Sequence, residues 1–259
     1  MNKYSDEHKF FLKKIKRENQ LVLLFRISIF IVFLFIWQFF SYKKIINTFL
    51  FSSPYNILVT IYKLYIDGKL LSNIAITFIE LLISFILSGV LGILIASIMW
   101  WNKFFCKISE PYINILNSLP KVALGPLIII WFGANYKSII IMSLLISLFI
   151  IIINNYQSFI STNENYMIMA KSFGASKWQI YKYIILPCNF SNIISTFKIS
   201  ISMNLIGVIM GELLISKKGL GYLIMYGSQI FNIDLVISCI FVLGIISVFL
   251  YYFISKKSR

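Results

Sequence analysis

The sequence is poor in charged residues for a chain of its length. Of its 259 residues, 59% are hydrophobic and 13% are charged, and only 9 are Asp or Glu. An ordinary soluble domain carries about 25% charged residues. A soluble chain this apolar would expose hydrophobic patches far larger than monomeric proteins tolerate. The composition therefore excludes an ordinary soluble domain and predicts a polytopic membrane protein.

Histidine and cysteine are scarce as well, and their scarcity excludes several kinds of site. His8 is the only histidine, and the three cysteines, Cys106, Cys188 and Cys239, lie far apart in the sequence. This spacing provides neither a cluster of metal ligands nor a disulfide framework. Each cysteine is expected to serve as a small apolar packing residue, and we expect no metal site on this chain.

Motifs for nucleotide binding and for catalysis are missing. The chain has no Gly-x4-Gly-Lys-Ser/Thr loop, and Gly219-Leu220-Gly221 lacks the third glycine and the strand context of a dinucleotide fingerprint. No Ser/His pair, paired Asp or ligand cluster indicates hydrolysis within a bilayer. The sequence thus predicts no catalytic residue and no cofactor-binding residue on this chain.

Basic residues exceed acidic ones and give a net charge of +15. They flank apolar runs and do not cluster with stacking aromatic side chains, so nucleic acid is not an expected partner. If the N-terminus is inside, the cytoplasmic segments carry about twice as many Lys and Arg residues as the outer segments, which is the bias that orients membrane proteins. The charges therefore predict a multi-pass protein of the cell membrane, embedded in the lipid bilayer, with both termini in the cytoplasm.

Six apolar runs approach the roughly 20 residues that a helix needs to cross a bilayer. They predict an all-α membrane protein with six transmembrane helices, at Leu21–Phe40, Ile74–Met99, Pro111–Phe132, Ser138–Ile153, Ile193–Ile215 and Leu235–Ile254. The corresponding organisation is a cytoplasmic tail at 1–20, a first transmembrane helix at 21–40, an extracytoplasmic connector with an amphipathic helix at 41–73, a core transmembrane domain at 74–254, and a cytoplasmic tail at 255–259.

One polar, cationic segment, Asn165 to Pro187, interrupts the apolar runs. Gly174 at its centre permits a sharp reversal between two short helices. Phe173 and Trp178 provide aromatic anchors of the kind that dominate protein interfaces. The segment predicts a helix–turn–helix on which a soluble partner docks. An amphipathic loop that contacts only lipid is the alternative.

The spacing within this segment resembles the cytoplasmic loop of the permease subunits of ATP-binding-cassette (ABC) importers, whose pattern is E-A-A-x3-G-x9-I-x-L-P. Ile168 and Met169 stand where that pattern has Glu and Ala. The matching positions are Ala170, Gly174, Ile184, Leu186 and Pro187.

Further stretches are similar to the nitrate/sulfonate/taurine-type, or type I, permeases of this family. They are Ser53-Pro54 with Gly68-Lys69-Leu70, Ser118 to Gly133, Gly211 to Ile224, and the closing apolar span. Together with the loop they cover nearly the whole chain.

The resemblance implies a type I ABC importer permease fold with a coupling-helix loop at 160–190. It also implies four kinds of partner: two ABC ATPase subunits that bind ATP and Mg²⁺, an extracytoplasmic substrate-binding protein, a second permease copy in a homodimer or a heterodimer, and the bilayer. The substrate would be a small solute of the sulfonate, nitrate or taurine class, or a pyrimidine-like vitamin precursor. The residues expected to couple to the ATPase are Ala170, Lys171, Phe173, Gly174, Ala175, Trp178, Ile184, Leu186 and Pro187. A stand-alone secondary transporter or channel is the alternative function.

Polar residues at membrane depth tend to have partners or to line water. Lys121, Asn154 and Asn204 are candidates for lining the pathway. Ion pairs are expected within the membrane for Glu80, Lys198 and Glu212. The candidate partners of Glu80 are Lys198, Lys121 and Lys69, with hydration from the outer vestibule as the alternative, and those of Glu212 are Lys217 and Lys218.

Overall fold

A computed structural model describes residues 6–256, without the side chains at 6–9, 19, 23 and 256. Helices make up nearly all of this range. No strand occurs within this range, and the predicted all-α fold is confirmed. Residues 1–5 and 257–259, which belong to the two predicted cytoplasmic tails, lie outside the described residues. The helices are α1 (Asp6–Tyr42), α2 (Thr48–Phe51), α3 (Pro54–Ile66), α4 (Lys69–Trp101), α5 (Lys103–Ser118), α6 (Gly125–Phe132), α7 (Tyr136–Ile160), α8 (Glu164–Ser172), α9 (Lys177–Ile180), α10 (Leu186–Cys188), α11 (Phe190–Ile215), α12 (Leu220–Gln229) and α13 (Ile233–Lys256).

Five of the described helices, α1, α4, α7, α11 and α13, are long and apolar enough to cross a membrane. A sixth crossing is made only if α5 and the segment Lys121–Phe132 count as one span, and these two pieces meet at an angle of 88°. The predicted third span at Pro111–Phe132 thus falls on two helical pieces that bend at Pro120. Pro120 has no backbone N–H and disfavours helical backbone at the preceding Leu119, whose ψ is 143°.

Helix α1 begins earlier than the apolar pattern predicts. It runs without interruption from Asp6, so most of the predicted tail at 1–20 is helical and continuous with the first span. None of its apolar window is buried within the chain, and α1 packs mainly against α3. Helix α4 likewise begins at Lys69 rather than Ile74 and shortens the predicted connector. Charged and polar residues extend both helices beyond the apolar run that a hydropathy pattern detects.

The core of the bundle is helix α7 packed between α4 and α11. Glycines let the backbones approach closely at both contacts. A Cβ atom at Gly92 of α4 would overlap the side chain of Ile151, and one at Gly207 of α11 would overlap the backbone of Ser143. Small residues at crossing points are the usual means of tight helix packing in membranes.

A buried polar network crosses the same three helices. Asn204 of α11 has no exposed surface. Its amide nitrogen donates to Ser88 Oγ on α4 at 3.1 Å, and its side-chain oxygen accepts from Ser147 Oγ on α7 at 3.0 Å. Ser143 Oγ also donates to the Asn204 backbone carbonyl at 2.8 Å. These hydrogen bonds fix the relative rotation of α4, α7 and α11.

The bundle has two distinct ends. Helices α4 and α7 finish and α11 starts at one end, which carries α8 to α10 and is called the loop end below. Helices α4, α7 and α13 start and α11 finishes at the opposite end, which carries α12 and is called the α12 end. Helices α8 to α10 and α12 are too short to span a membrane.

Candidate functional site

The loop between α7 and α11 folds as the predicted helix–turn–helix. Asn163 caps α8 by accepting a hydrogen bond from the backbone N–H of Asn165 at 2.9 Å. Ser176 and Gln179 form a reciprocal capping box at α9, in which Ser176 N–H donates to Gln179 Oε1 at 2.7 Å and Gln179 N–H donates to Ser176 Oγ at 3.3 Å. These caps satisfy donors that the first turn of a helix leaves unpaired. The local sequence therefore encodes where both helices start.

Gly174 closes α8 in a left-handed conformation with φ of 76°. The N–H of Ala175 donates to the carbonyl of Ala170 at 3.0 Å, and the N–H of Gly174 donates to that of Lys171 at 2.9 Å. This pair of hydrogen bonds is the Schellman arrangement that commonly ends helices at glycine. A Cβ atom at position 174 would meet nothing within 4 Å, so glycine is needed for its backbone conformation and not for space.

One side of the loop is anchored in the bundle. Ile180, Tyr181 and Ile185 are buried against Phe159 of α7 and Ala96 of α4. The predicted loop residues Ala170, Ala175, Ile184 and Leu186 are half-buried around this cluster. The loop is therefore in direct contact with the ends of the two long helices.

Tyr181 holds the anchor together. Its hydroxyl lies 2.5 Å from Ser97 Oγ of α4, and its ring centroid lies 5.4 Å from that of Trp100 and 5.9 Å from that of Trp178. Tyr181 is absent from the residues expected from the sequence. The adjacent tryptophans Trp100 and Trp101 at the end of α4 are the sequence feature from which an aromatic partner such as Tyr181 could have been predicted.

The other side of the loop is exposed. Phe173 is 85% exposed and Trp178 is 58% exposed, and Ile168 and Met169 are also more than half exposed. Met169 and Phe173 lie one helical turn apart. We call Ile168, Met169, Phe173 and Trp178 the apolar loop face. Large apolar side chains grouped at a surface mark a site of interaction.

Pro187 lies inside the helical path of the loop and does not end it. The chain continues from α9 through a π-helical turn, Tyr181–Ile185, into α10, which contains Pro187. Wide turns of this kind accommodate a residue whose backbone N–H is missing. The helical path breaks two residues later, at Asn189, whose side-chain amide donates to Thr162 Oγ1 at 2.7 Å and to the carbonyl of Ile185 at 2.9 Å.

The three candidate pathway residues have different surroundings. Asn204 is enclosed by the contact of three helices and does not line a pathway in this structure, which corrects the expectation. Asn154 of α7 is half-buried. Lys121 lies in the bend between α5 and α6, where its Nζ donates to the carbonyl and to the side-chain oxygen of Asn117 at 2.9 and 3.0 Å. Lys121 thus satisfies one backbone carbonyl near the end of α5.

Glu212 caps helix α12 at the opposite end of the bundle. Its Oε2 accepts from the backbone N–H of Gly221 at 2.6 Å, and its Oε1 accepts from Thr77 Oγ1 at 2.7 Å. Thr77 Oγ1 also accepts from Leu220 N–H at 2.9 Å. A Cβ atom at Gly219, where φ is 106°, would overlap the Glu212 carboxyl group. A carboxylate at a helix N-terminus is favourable, so Glu212 holds α12 against the bundle, and no lysine partner is needed.

Glu80 is the second buried carboxyl group at this end. It lies one turn beyond Thr77 on α4, is 6% exposed, and lies near the Glu212 carboxyl group. Its Oε2 has no hydrogen-bond partner among the described residues. Two buried carboxyl groups placed close together repel each other when both are ionised, which favours a shared proton.

The pairings with lysine expected from the sequence are therefore wrong for Glu80 and Glu212. Lys198 is separated from Glu212 by roughly 20 Å along α11, at about 1.5 Å per residue, and it lies toward the loop end. Lys217 and Lys218 are exposed and line the cavity of about 360 Å³ beside Glu80.

A larger cavity, of about 510 Å³, lies at the loop end. It is enclosed by α8, α9 and the ends of α4 and α7, and its lining includes Trp100, Lys103, Glu164, Lys171 and Lys177. Within residues 6–256, no group of three or more His, Cys, Asp and Glu side chains converges as a metal site would require.

Comparison with known proteins places the sequence in a family. The sequence model described as "Binding-protein-dependent transport system inner membrane component" matches residues 88–259. The formylaminopyrimidine transport permease protein ThiX of Halalkalibacterium halodurans is 28% identical over 193 residues, which cover 74% of this chain and 76% of that protein. A protein of Bacillus subtilis named as an aliphatic sulfonates transport permease, SsuC, is 25% identical over 215 residues, which cover 83% of this chain and 78% of that protein.

Solved structures with the same fold are also transporters. A bacterial ABC transporter involved in the import of the acidic polysaccharide alginate aligns with a TM-score of 0.66 at 18% identity, over 96% of this chain and 98% of the matched chain. The MetNI methionine ABC transporter in an inward-facing conformation aligns with a TM-score of 0.61 at 16% identity, over 74% of this chain and 94% of the matched chain.

Proposed function

The chain belongs to the family of binding-protein-dependent transport system inner membrane components, and we propose that it forms the translocation pathway of an ATP-binding-cassette importer for a small solute. Its expected partners are two cytoplasmic ATPase subunits, an extracytoplasmic binding protein and a second permease chain, most simply another copy of itself. ATP and Mg²⁺ would be bound by the ATPase subunits.

The observation that carries the proposal is the two-sided construction of the loop. Tyr181 and its neighbours anchor one side to α4 and α7, while the apolar loop face is open to solvent. This construction supports a rigid connection between a soluble motor and the transmembrane helices.

The mechanism follows from that connection. Nucleotide binding would close the two ATPase subunits, and α8 and α9 would carry the displacement to the ends of α4, α7 and α11. The pathway would then open outward and receive the solute from the binding protein, and ATP hydrolysis would reset it. Transport of this kind requires two arrangements that are biased differently by ATP and by the loaded binding protein.

The proposed orientation places the loop end in the cytoplasm and the α12 end outside. A cysteine at Ser176 should react with an impermeant reagent only after the cells are opened, and one at Lys217 should react in intact spheroplasts. Both positions are exposed in the structure. Labelling of position 176 from outside would contradict this orientation.

Names of relatives suggest the class of solute. One relative is named for formylaminopyrimidine transport and another for aliphatic sulfonates. We propose a substrate of the sulfonate, nitrate or taurine class, or a pyrimidine-like vitamin precursor. Selectivity would reside largely in the binding protein, so the test is to identify the ligand of the binding protein that stimulates ATP-dependent uptake through this chain.

Reconstitution separates this function from a stand-alone secondary transporter or channel. Proteoliposomes that contain the permease, the ATPase and ATP should accumulate solute only when the loaded binding protein is added. Solute flux through the permease alone, driven by an ion gradient or by the solute gradient itself, would support the alternative.

A further inference from the structure

The cavity at the loop end has a wall of mixed character. Lys103, Lys171 and Lys177 come from three different helices and line it together with Glu164. The cavity therefore has a surplus of positive charge. Met99, Trp100 and Tyr156 supply apolar and aromatic surface between the charged groups. A ligand that fits this lining carries negative charge on an otherwise apolar body.

The three lysines that line the cavity differ in whether their ammonium groups already have a partner within the chain. Lys177 is held by a hydrogen bond from its Nζ to the carbonyl of Trp101 at 2.5 Å, and its Nζ lies 5.5 Å from the centroid of the Trp101 ring. Lys103 and Lys171 are exposed, and the side chain of neither makes a hydrogen bond or an ion pair within residues 6–256. Two ammonium groups therefore remain available to a ligand beside one that is fixed.

The cavity lies at the level where the membrane helices end. Helices α4 and α7 finish beside it, and Trp100 and Trp101 have the position of tryptophans at a membrane interface. Glu164, Met167 and Lys171, which line the cavity, recur at the spacing of one face of α8. Met169 and Phe173 lie on the opposite face, so a ligand in the cavity leaves that part of the apolar loop face free.

We propose that this cavity binds the phosphate headgroup of an anionic phospholipid in the inner leaflet, and that the bound lipid stabilises the loop against α4 and α7. The assignment to the inner leaflet rests on the proposed function. Ammonium groups bind phosphate as point charges, and basic pockets between membrane helices on the cytoplasmic side suit anionic headgroups. The apolar wall matches the glycerol and upper acyl region of a lipid, which a free phosphate ion lacks.

The test uses the full-length chain, purified alone in detergent, so that its outcome does not depend on an ATPase or on transport. Phosphatidylglycerol, phosphatidylcholine and inorganic phosphate are titrated separately, and binding is followed by native mass spectrometry and by the thermal unfolding midpoint. We expect retention of phosphatidylglycerol and a raised midpoint, with little effect of phosphatidylcholine.

Variants locate the site. Each ammonium group near an anionic surface contributes about 1 kcal/mol, so Lys103→Gln with Lys171→Gln should weaken phosphatidylglycerol binding by roughly 30-fold. The matched control is Lys217→Gln with Lys218→Gln, which removes two exposed lysines at the α12 end and should leave binding unchanged.

Three results would overturn the proposal: equal binding of the anionic and the zwitterionic lipid, an equal effect of inorganic phosphate, or an equal loss in the control variant. The comparison of ligands on the unmodified chain decides the question even if the variant at Lys103 and Lys171 fails to fold. Failure of the proposed transport function would leave lipid binding intact, because no step of this experiment measures flux.

Discussion

Replacing Asn204 with Leu removes the amide at the centre of the bundle and keeps a side chain of similar size. The amide makes side-chain hydrogen bonds to Ser88 on α4 and to Ser147 on α7. Side-chain hydrogen bonds between membrane helices average about 0.6 kcal/mol each, so the two contribute roughly 1 kcal/mol.

The serines limit that loss. Ser88 Oγ can donate to the carbonyl of Phe85 at 3.2 Å, and Ser147 Oγ to that of Ser143 at 3.3 Å, so neither is left unpaired. We expect Asn204→Leu to lower the free energy of unfolding by about 1 kcal/mol, measured in mixed micelles of detergent and SDS. Because the site is closed to water, uptake per folded molecule should stay near the wild-type rate.

The control is Asn154→Leu, which makes the same change at a half-buried asparagine of α7. It should alter the unfolding free energy by less than Asn204→Leu. An Asn204→Leu protein with unchanged stability and lost uptake would show that Asn204 contacts the substrate, and it would refute the reasoning from the buried network.

Three further predictions follow from the backbone and the carboxyl pair. Gly174→Ala should strain the left-handed turn by about 1–2 kcal/mol and make a protease cleave the loop faster. The loop of Gly174→Asn should be cleaved more slowly than that of Gly174→Ala, because Asn tolerates this backbone conformation. Equal cleavage of the two variants would contradict the turn. Gly207→Ala should lower the unfolding free energy by about 1–3 kcal/mol, because the added methyl group overpacks the contact with Ser143. The control Gly244→Ala should not lower it, because nothing lies within 4 Å of the Cβ position at Gly244. Equal effects of the two substitutions would contradict the close contact at Gly207. Glu80→Gln should preserve the thermal unfolding midpoint, because an amide can donate to the Glu212 carboxylate without a shared proton. Glu212→Leu should lower the midpoint, because it leaves the buried donors of Thr77 and Gly221 unpaired. A larger loss of stability in Glu80→Gln than in Glu212→Leu would contradict the capping role of Glu212.

The sequence predicts those parts of the fold that depend on local chemistry. The apolar runs locate the spanning helices because each run must be long enough to cross a bilayer. Gly174 locates the turn because few residues other than glycine adopt its backbone conformation readily. The capping residues Ser176 and Gln179 lie within one turn of each other, so their role can be recognised from the sequence alone.

The buried interior depends on how helices rotate and align, which the sequence pattern does not specify. Asn204 faces serines and not a pathway because α11 turns that side toward α4 and α7. Glu80 meets Glu212 because Thr77, one turn away on α4, is aligned with the start of α12. Pro120 allows the sequence to predict a bend between α5 and α6. The sequence does not predict the angle of 88°, because the angle depends on how α6 packs against α7.

Chemical crosslinking from the apolar loop face tests the central claim most directly. Phe173→Cys is introduced after the exposed native cysteine is removed as Cys188→Ser, and the permease is co-expressed with its proposed partner ATPase. In membranes that support ATP-driven uptake, a cysteine at position 173 should crosslink to the ATPase, and the yield should change when ATP is bound. The matched cysteine at Lys217, at the α12 end, should give no such product. An active transporter in which position 173 never crosslinks to the ATPase, or in which position 217 does, would contradict the assignment of the loop as the coupling site.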